Sequence, residues 1–129
     1  MINQKEYVLT LLKNSTELET ILGKSGKIMN AYPNKIETFP MVVFEDMNQS
    51  DVEFYDNLPN ATNCSIRIHI FTKVSGSKYP TTTEVGLIVH DIFRNDYWSC
   101  TANMETSDVD DSIRHRIMDF TRPFLSELK

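Results

Sequence analysis

The residues with most chemical potential in this chain are His69, His90, His115 and the run Arg114-His115-Arg116. An imidazole near neutral pH can serve as base, proton carrier or metal ligand. A zinc site would space its histidines as HxH, HxxxH or HExxH, and none of these patterns occurs. Asp108, Asp110 and Asp111 could attract a hard cation. However, DVDD has neither the glycine nor the distal glutamate of a calcium loop, and a solvated hairpin tip accounts for it. GxSxG, the Walker A pattern and GxGxxG are absent, and the whole chain has only 4 glycines. We therefore read no catalytic residue, no cofactor site and no metal site, and expect a protein that is not an enzyme.

Bulk properties narrow the remaining classes. The 129 residues suit one domain, 1–129, with enough chain to bury a core without disulfide or metal staples. A net charge of −5 disfavours a general nucleic-acid binder, which needs a basic footprint against phosphates. Cys64 and Cys100 are far apart and lack CxxC spacing, so they read as small core residues in a reducing compartment. The first twenty residues lack the apolar centre of a signal peptide, and no apolar run approaches the ~20 residues of a membrane span. Synthesis in the cytoplasm and no membrane partner are expected.

These side chains must be positioned by a small set of elements. Val8, Leu11 and Leu12, then Leu18, Ile21 and Leu22, recur at helical spacing. Asn14-Ser15-Thr16 divides them into one broken helix or two short ones, with Thr16 and Glu19 as a capping box and Gly23 as the C-cap. Lys27–Tyr32 reads as a short strand, Met41–Asp46 as a second and Cys64–Thr72 as a third. The acidic stretch between the last two continues a hairpin arm around 45–62. Val85, Ile88, Val89, Ile92 and Phe93 form one stripe of a helix that must pack on the sheet. Tyr97–Met104 places Trp98, Cys100, Ala102 and Met104 on one side of a strand. The last strand is Ser112–Phe120, followed by a tail with one weak helical turn. The fold class is α+β: a two-layer domain with a mostly antiparallel sheet of about five strands and two main helices on one face.

Alternation assigns faces to the candidate residues. Ile66, Ile68 and Ile70 point to the helices, so Arg67, His69 and Phe71 point away. In the last strand Ile113 and Ile117 suggest the core side, carrying His115 with them. Arg114, Arg116, Met118 and Phe120 then join the open face. That mixture fits a solvated face, a stacking platform for single-stranded nucleic acid on Phe71 and Phe120, or a protein–protein surface. The enrichment in Arg, Met and aromatics favours the last. Residues Glu45–Asn60 contain Asp46, Asp51, Glu53 and Asp56, with Phe54 and Tyr55 and no Lys or Arg. Such an acidic arm could order against the arginines of a neighbouring copy, a head-to-tail contact that closes into rings when the rotation permits.

In sequence order, the LL pair of the first helix, FPMVVFED, the YDN of EFYDNLPN, SIRIHIFTK, a Thr-capped helix and an acidic turn into IRHRIMDF span nearly the whole chain. This succession resembles the tail completion, or tail terminator, proteins of long-tailed bacteriophages, also called tail-to-head joining proteins. The resemblance implies a structural virion protein of the tail or neck, without catalysis or cofactor. It implies a homo-oligomeric ring, a hexamer, that caps the tail tube and meets the head connector while DNA passes through the lumen without sequence-specific binding. Its partners would be further copies of itself, the tail tube protein and the connector or stopper protein. Another neck or tube component, or a nucleic-acid-binding module on the open face, is the alternative.

Overall fold

The computed structural model describes residues 3–24, 26–30, 38–52, 61–74, 78–107 and 112–125. Asn3 opens α1 (Gln4–Lys13) by accepting the backbone N–H of Glu6 at 3.3 Å. Ser15, one residue before the expected cap, opens α2 (Thr16–Leu22) by accepting from Leu18 at 3.2 Å. Gly23 closes that helix at φ 68°, a backbone region that favours glycine. Thr81 caps α3 (Thr82–Asn95) through the N–H of Glu84 at 3.1 Å.

Five strands form one sheet: β1 (Lys27–Asn30), β2 (Met41–Val52), β3 (Ala61–Lys73), β4 (Ser99–Ser107) and β5 (Ile113–Leu125). Their order is β1-β2-β3-β5-β4. β1 runs parallel to β2, and the other neighbours are antiparallel. All three helices cover one face. Val8, Leu12, Leu18 and Leu22 of α1 and α2, with Val85, Val89 and Phe93 of α3, pack on Val42, Phe44, Cys64, Ile66, Ile68, Ile70, Met118 and Phe120. This is the expected two-layer α+β domain, with the N-terminal helical segment divided into two short helices, so that three helices cover the sheet among the described residues.

The faces of β5 are the reverse of those expected from its isoleucines. Met118 pairs with Ile68 and Phe120 with Ile66, so they lie under the helices. Ile113, His115 and Ile117 lie on the helix-free face with Phe71 and His69. The strand carries apolar residues at both parities, and only the ladder with β3 decides between them. The larger pair, Met118 and Phe120, takes the deeper side.

Two further differences follow from irregular pairing. A register shift between Cys100 and Ala102 breaks the alternation of β4, so Ala102 and Met104 face the side of Asp119 and Ile117 while Cys100 faces Phe120. The tail, expected to form one weak helical turn, is strand as far as Leu125, with Pro123 opposite Asn63, and residues 126–129 lie outside the described residues. Pairing with β4 ends at Thr121, so Pro123 sits where β5 has an open side and its missing N–H breaks no ladder bond there.

The helix-free face carries its own small cluster at one end: Phe39, Met41, Val43 and Phe71, joined by Met29, Tyr79 and Ile113. The acidic stretch enters the sheet as β2, paired with β3 as far as Val52 opposite Ala61. Glu53, Phe54, Tyr55 and Asp56, and the Asp108–Asp111 turn, lie outside the described residues.

Candidate functional site

Glu45, His69 and His115 come together from three adjacent strands. On an antiparallel ladder the diagonal neighbours two positions apart share a face. Val43 is directly opposite His69, so Glu45 is its diagonal neighbour. Ile117 is directly opposite His69, so His115 is diagonal on the other side. A carboxylate oxygen of Glu45 meets His69 Nε2, and His69 Nδ1 lies 2.8 Å from His115 Nε2. His69 is 6% exposed and His115 5%. Phe71 lies flat against His115 at 4.2 Å between ring centroids. Burial pushes the His69 imidazole below its ordinary range, against the opposing pull of Glu45.

The three groups are strung in a line. His69 uses one nitrogen toward each partner, so its donors do not converge on a point as metal ligands must. Among the described residues no group of His, Cys, Asp and Glu could hold a metal ion. With both nitrogens engaged, His69 also has none to offer a substrate as a base. The line can hold and pass a proton between strands.

The arginines sit elsewhere. Arg67 shares the helix-free face and forms a two-point fork with Asp119, at 2.8 and 3.0 Å. Arg116 is on the helix side, where its guanidinium donates to Thr82, Thr83 and Asn103 at 3.4, 3.0 and 2.9 Å. Arg114 is exposed at the start of β5, opposite Thr72. Asp46 is exposed on β2, 4.0 Å from the Lys5 ammonium. Asp51, further along β2, stands opposite Thr62 of β3. The expected open patch of Arg114, Arg116, Met118 and Phe120 therefore does not form, because those residues belong to the face that α3 covers. Phe71 and Phe120, the two rings expected to stack bases, are each 1% exposed and lie on opposite faces, so they make no platform.

Sequence reasoning missed a second polar centre around Arg122. Its Nη1 donates to Tyr7 Oη at 2.9 Å and to both the carboxylate and the carbonyl of Asp96 at 2.8 Å. Tyr7 and Trp98 donate to the same carboxylate oxygen at 2.6 and 3.2 Å. The guanidinium also lies 4.3 Å from the Phe124 ring centroid. Burial, then the bond to Asp96, raises the Tyr7 phenol above its ordinary range. These residues come from three separate places in the chain, and no local pattern links the three. This is a clamp joining β5 to α1 and to the α3–β4 turn.

No family model and no curated protein matches the sequence. The fold, however, has a solved counterpart. A chain of the structure described as the virion of a native gene transfer agent (GTA) particle superposes with a TM-score of 0.62. The match covers 95% of this chain and 94% of that one at 10% sequence identity. At that identity the likeness is one of fold. No helix among the described residues is long and apolar enough to cross a membrane.

Proposed function

We propose that this chain is a structural virion protein that assembles as a ring at the junction of a phage tail with its head. In this reading it ends the tail tube, meets the head connector and lets DNA pass, with no catalytic step. The observation that carries the reading is the shared fold: nearly the whole of this chain matches nearly the whole of a chain from the virion of a gene transfer agent particle. The order of sequence elements typical of tail terminator proteins supports the finer assignment, and the hexamer is taken from that resemblance.

The fold narrows the surface available to a neighbouring copy. Met118 and Phe120 are core residues and drop out as contacts. β2 ends at Val52, opposite Ala61 at one end of β3, and Glu53, Phe54, Tyr55 and Asp56 follow it in the sequence. Arg114 and Lys73 lie at the other end. A strand of 13 residues separates those ends by roughly 40 Å. Copies set end to end would bring the acidic connection of one against Arg114 and Lys73 of the next. Arg67 is engaged with Asp119 and His69 is buried, so neither is a contact in this arrangement.

Native mass measurement, on the protein alone and after addition to tail tubes, tests this. A discrete ring on either sample supports the reading. A strict monomer in both, binding single-stranded oligonucleotide with a steep salt dependence, would overturn it.

A further inference from the structure

The line Glu45–His69–His115 ties together the three central strands β2, β3 and β5 on the face that carries no helix. We propose that it is a one-proton lock: the three side chains stay joined with the histidine pair neutral or singly protonated, and a second proton parts them.

The argument is one of hydrogen count. The carboxylate of Glu45 is an acceptor, so His69 Nε2 must carry the hydrogen between them. In neutral His69 the Nδ1 is then a lone pair, and His115 Nε2–H must donate to it. A proton arriving at His115 Nδ1 leaves both bonds intact. A proton arriving at His69 Nδ1 is also accommodated, provided His115 turns its Nε2 into the acceptor. Two protons leave N–H facing N–H across 2.8 Å, with two positive rings whose centroids are 5.0 Å apart. No tautomer relieves that arrangement.

The surroundings make this state costly. Among the described residues, the other charged groups on this side of β2, β3 and β5 are Arg67, Asp119 and Lys73. Arg67 and Asp119 are engaged with each other, and the Lys73 ammonium sits over the Phe39 ring at 5.7 Å. β4 presents Thr106, opposite His115, and Met104, opposite Ile117, and both are uncharged. Among the described residues, Glu45 is the carboxylate in line with the pair, and its one charge can balance one positive ring. Phe71, flat against His115, keeps water from one ring face. The second proton should therefore open the lock and loosen β2 and β5 against β3 on the helix-free face.

Nitrogen-resolved NMR of the histidines from about pH 8 to pH 4, with amide exchange on the same samples, tests the lock. The expected result is His69 as the Nε2–H tautomer at the upper end. Two interacting titration steps should follow, the second coinciding with at least a tenfold or so loss of protection in β2, β3 and β5. His115→Gln, which can donate to His69 but cannot be charged, should remove that coincident loss. Glu45→Gln should move the first step to lower pH. Independent titration of the two rings with unchanged protection would overturn the proposal, as would a His69 that carries its hydrogen on Nδ1 at the upper end. The wild-type measurement decides the matter even where a variant does not fold. Its outcome is independent of whether the protein forms a ring.

Discussion

Met118 stands directly opposite Ile68 in the β3–β5 ladder, and both are fully buried beneath α3. The pair fixes which side of β5 belongs to the core. Met118→Ala should cost about 2–5 kcal/mol, as deletion of a buried long side chain does. Ile68→Asp should abolish folding, because it places an unpaired charge in the same layer. Urea titrations followed by circular dichroism measure both. A loss below about 1 kcal/mol for Met118→Ala would mean that Met118 is not the core residue this register makes it.

The same pair shows what the sequence could and could not disclose. Cys64–Thr72 has apolar residues at one parity only below Phe71, so its faces are readable in isolation. α3 is readable too, because Val85, Val89 and Phe93 leave one stripe. β5 has Ile113 and Ile117 at one parity and Met118 and Phe120 at the other, and local alternation offers no way to choose. Once the choice fails, the candidate site fails with it. His115 belongs beside His69, and Glu45 enters only through a diagonal across β2 and β3. Pairings of that kind are properties of register, which a single strand does not contain. Arg122, Asp96 and Tyr7 are hidden for the same reason, being 115 residues apart at the extremes.

The Arg122 clamp should be worth more than an exposed ion pair. Arg122 and Asp96 are half-buried, and the carboxylate accepts from three side chains. Arg122→Met keeps much of the packing on Phe124 but leaves Asp96 without its cation, and about 1.5–3 kcal/mol should be lost. Tyr7→Phe removes one neutral donor and should cost about 1 kcal/mol. Thermal unfolding of the two variants and the double variant measures the coupling. Strict additivity would show that the three groups do not act as a unit.

Stability should fall on the acid side of neutrality. Burial holds the His69 imidazole below its unfolded value of about 6.5, so between the two values the unfolded chain binds more protons than the folded one. The contribution is fully present above about pH 6.5 and is lost as pH falls below it. Urea midpoints across that range should decline more steeply for wild type than for His69→Gln, whose amide can reach Glu45 without titrating. Parallel declines would place the acid sensitivity in groups other than His69.

Arg114 and Arg116, two positions apart on β5, should behave oppositely when their charge is reversed. Arg116 donates to Thr82 and Thr83 at the start of α3 and to Asn103 on β4, and its Cδ would lie 3.1 Å from a Cβ placed on Gly86. Arg116→Glu therefore removes three bonds where helix and sheet approach closely and sets a carboxylate near Glu105, which already accepts from Thr82. It should lower stability by about 1–3 kcal/mol whatever it does to assembly, so it is a poor probe of an interface. Arg114 is exposed and lies beyond that contact. Because any pairing of an exposed side chain is screened by solvent, Arg114→Glu should lower stability by at most about 1 kcal/mol. In the end-to-end ring it faces the acidic connection of the next copy, so its reversal should weaken assembly, and added salt should narrow the gap to wild type by screening both. Unfolding curves and native masses at low and high salt separate the two effects. An Arg114→Glu protein that assembles like wild type at low salt would move the subunit contact away from this end of the sheet.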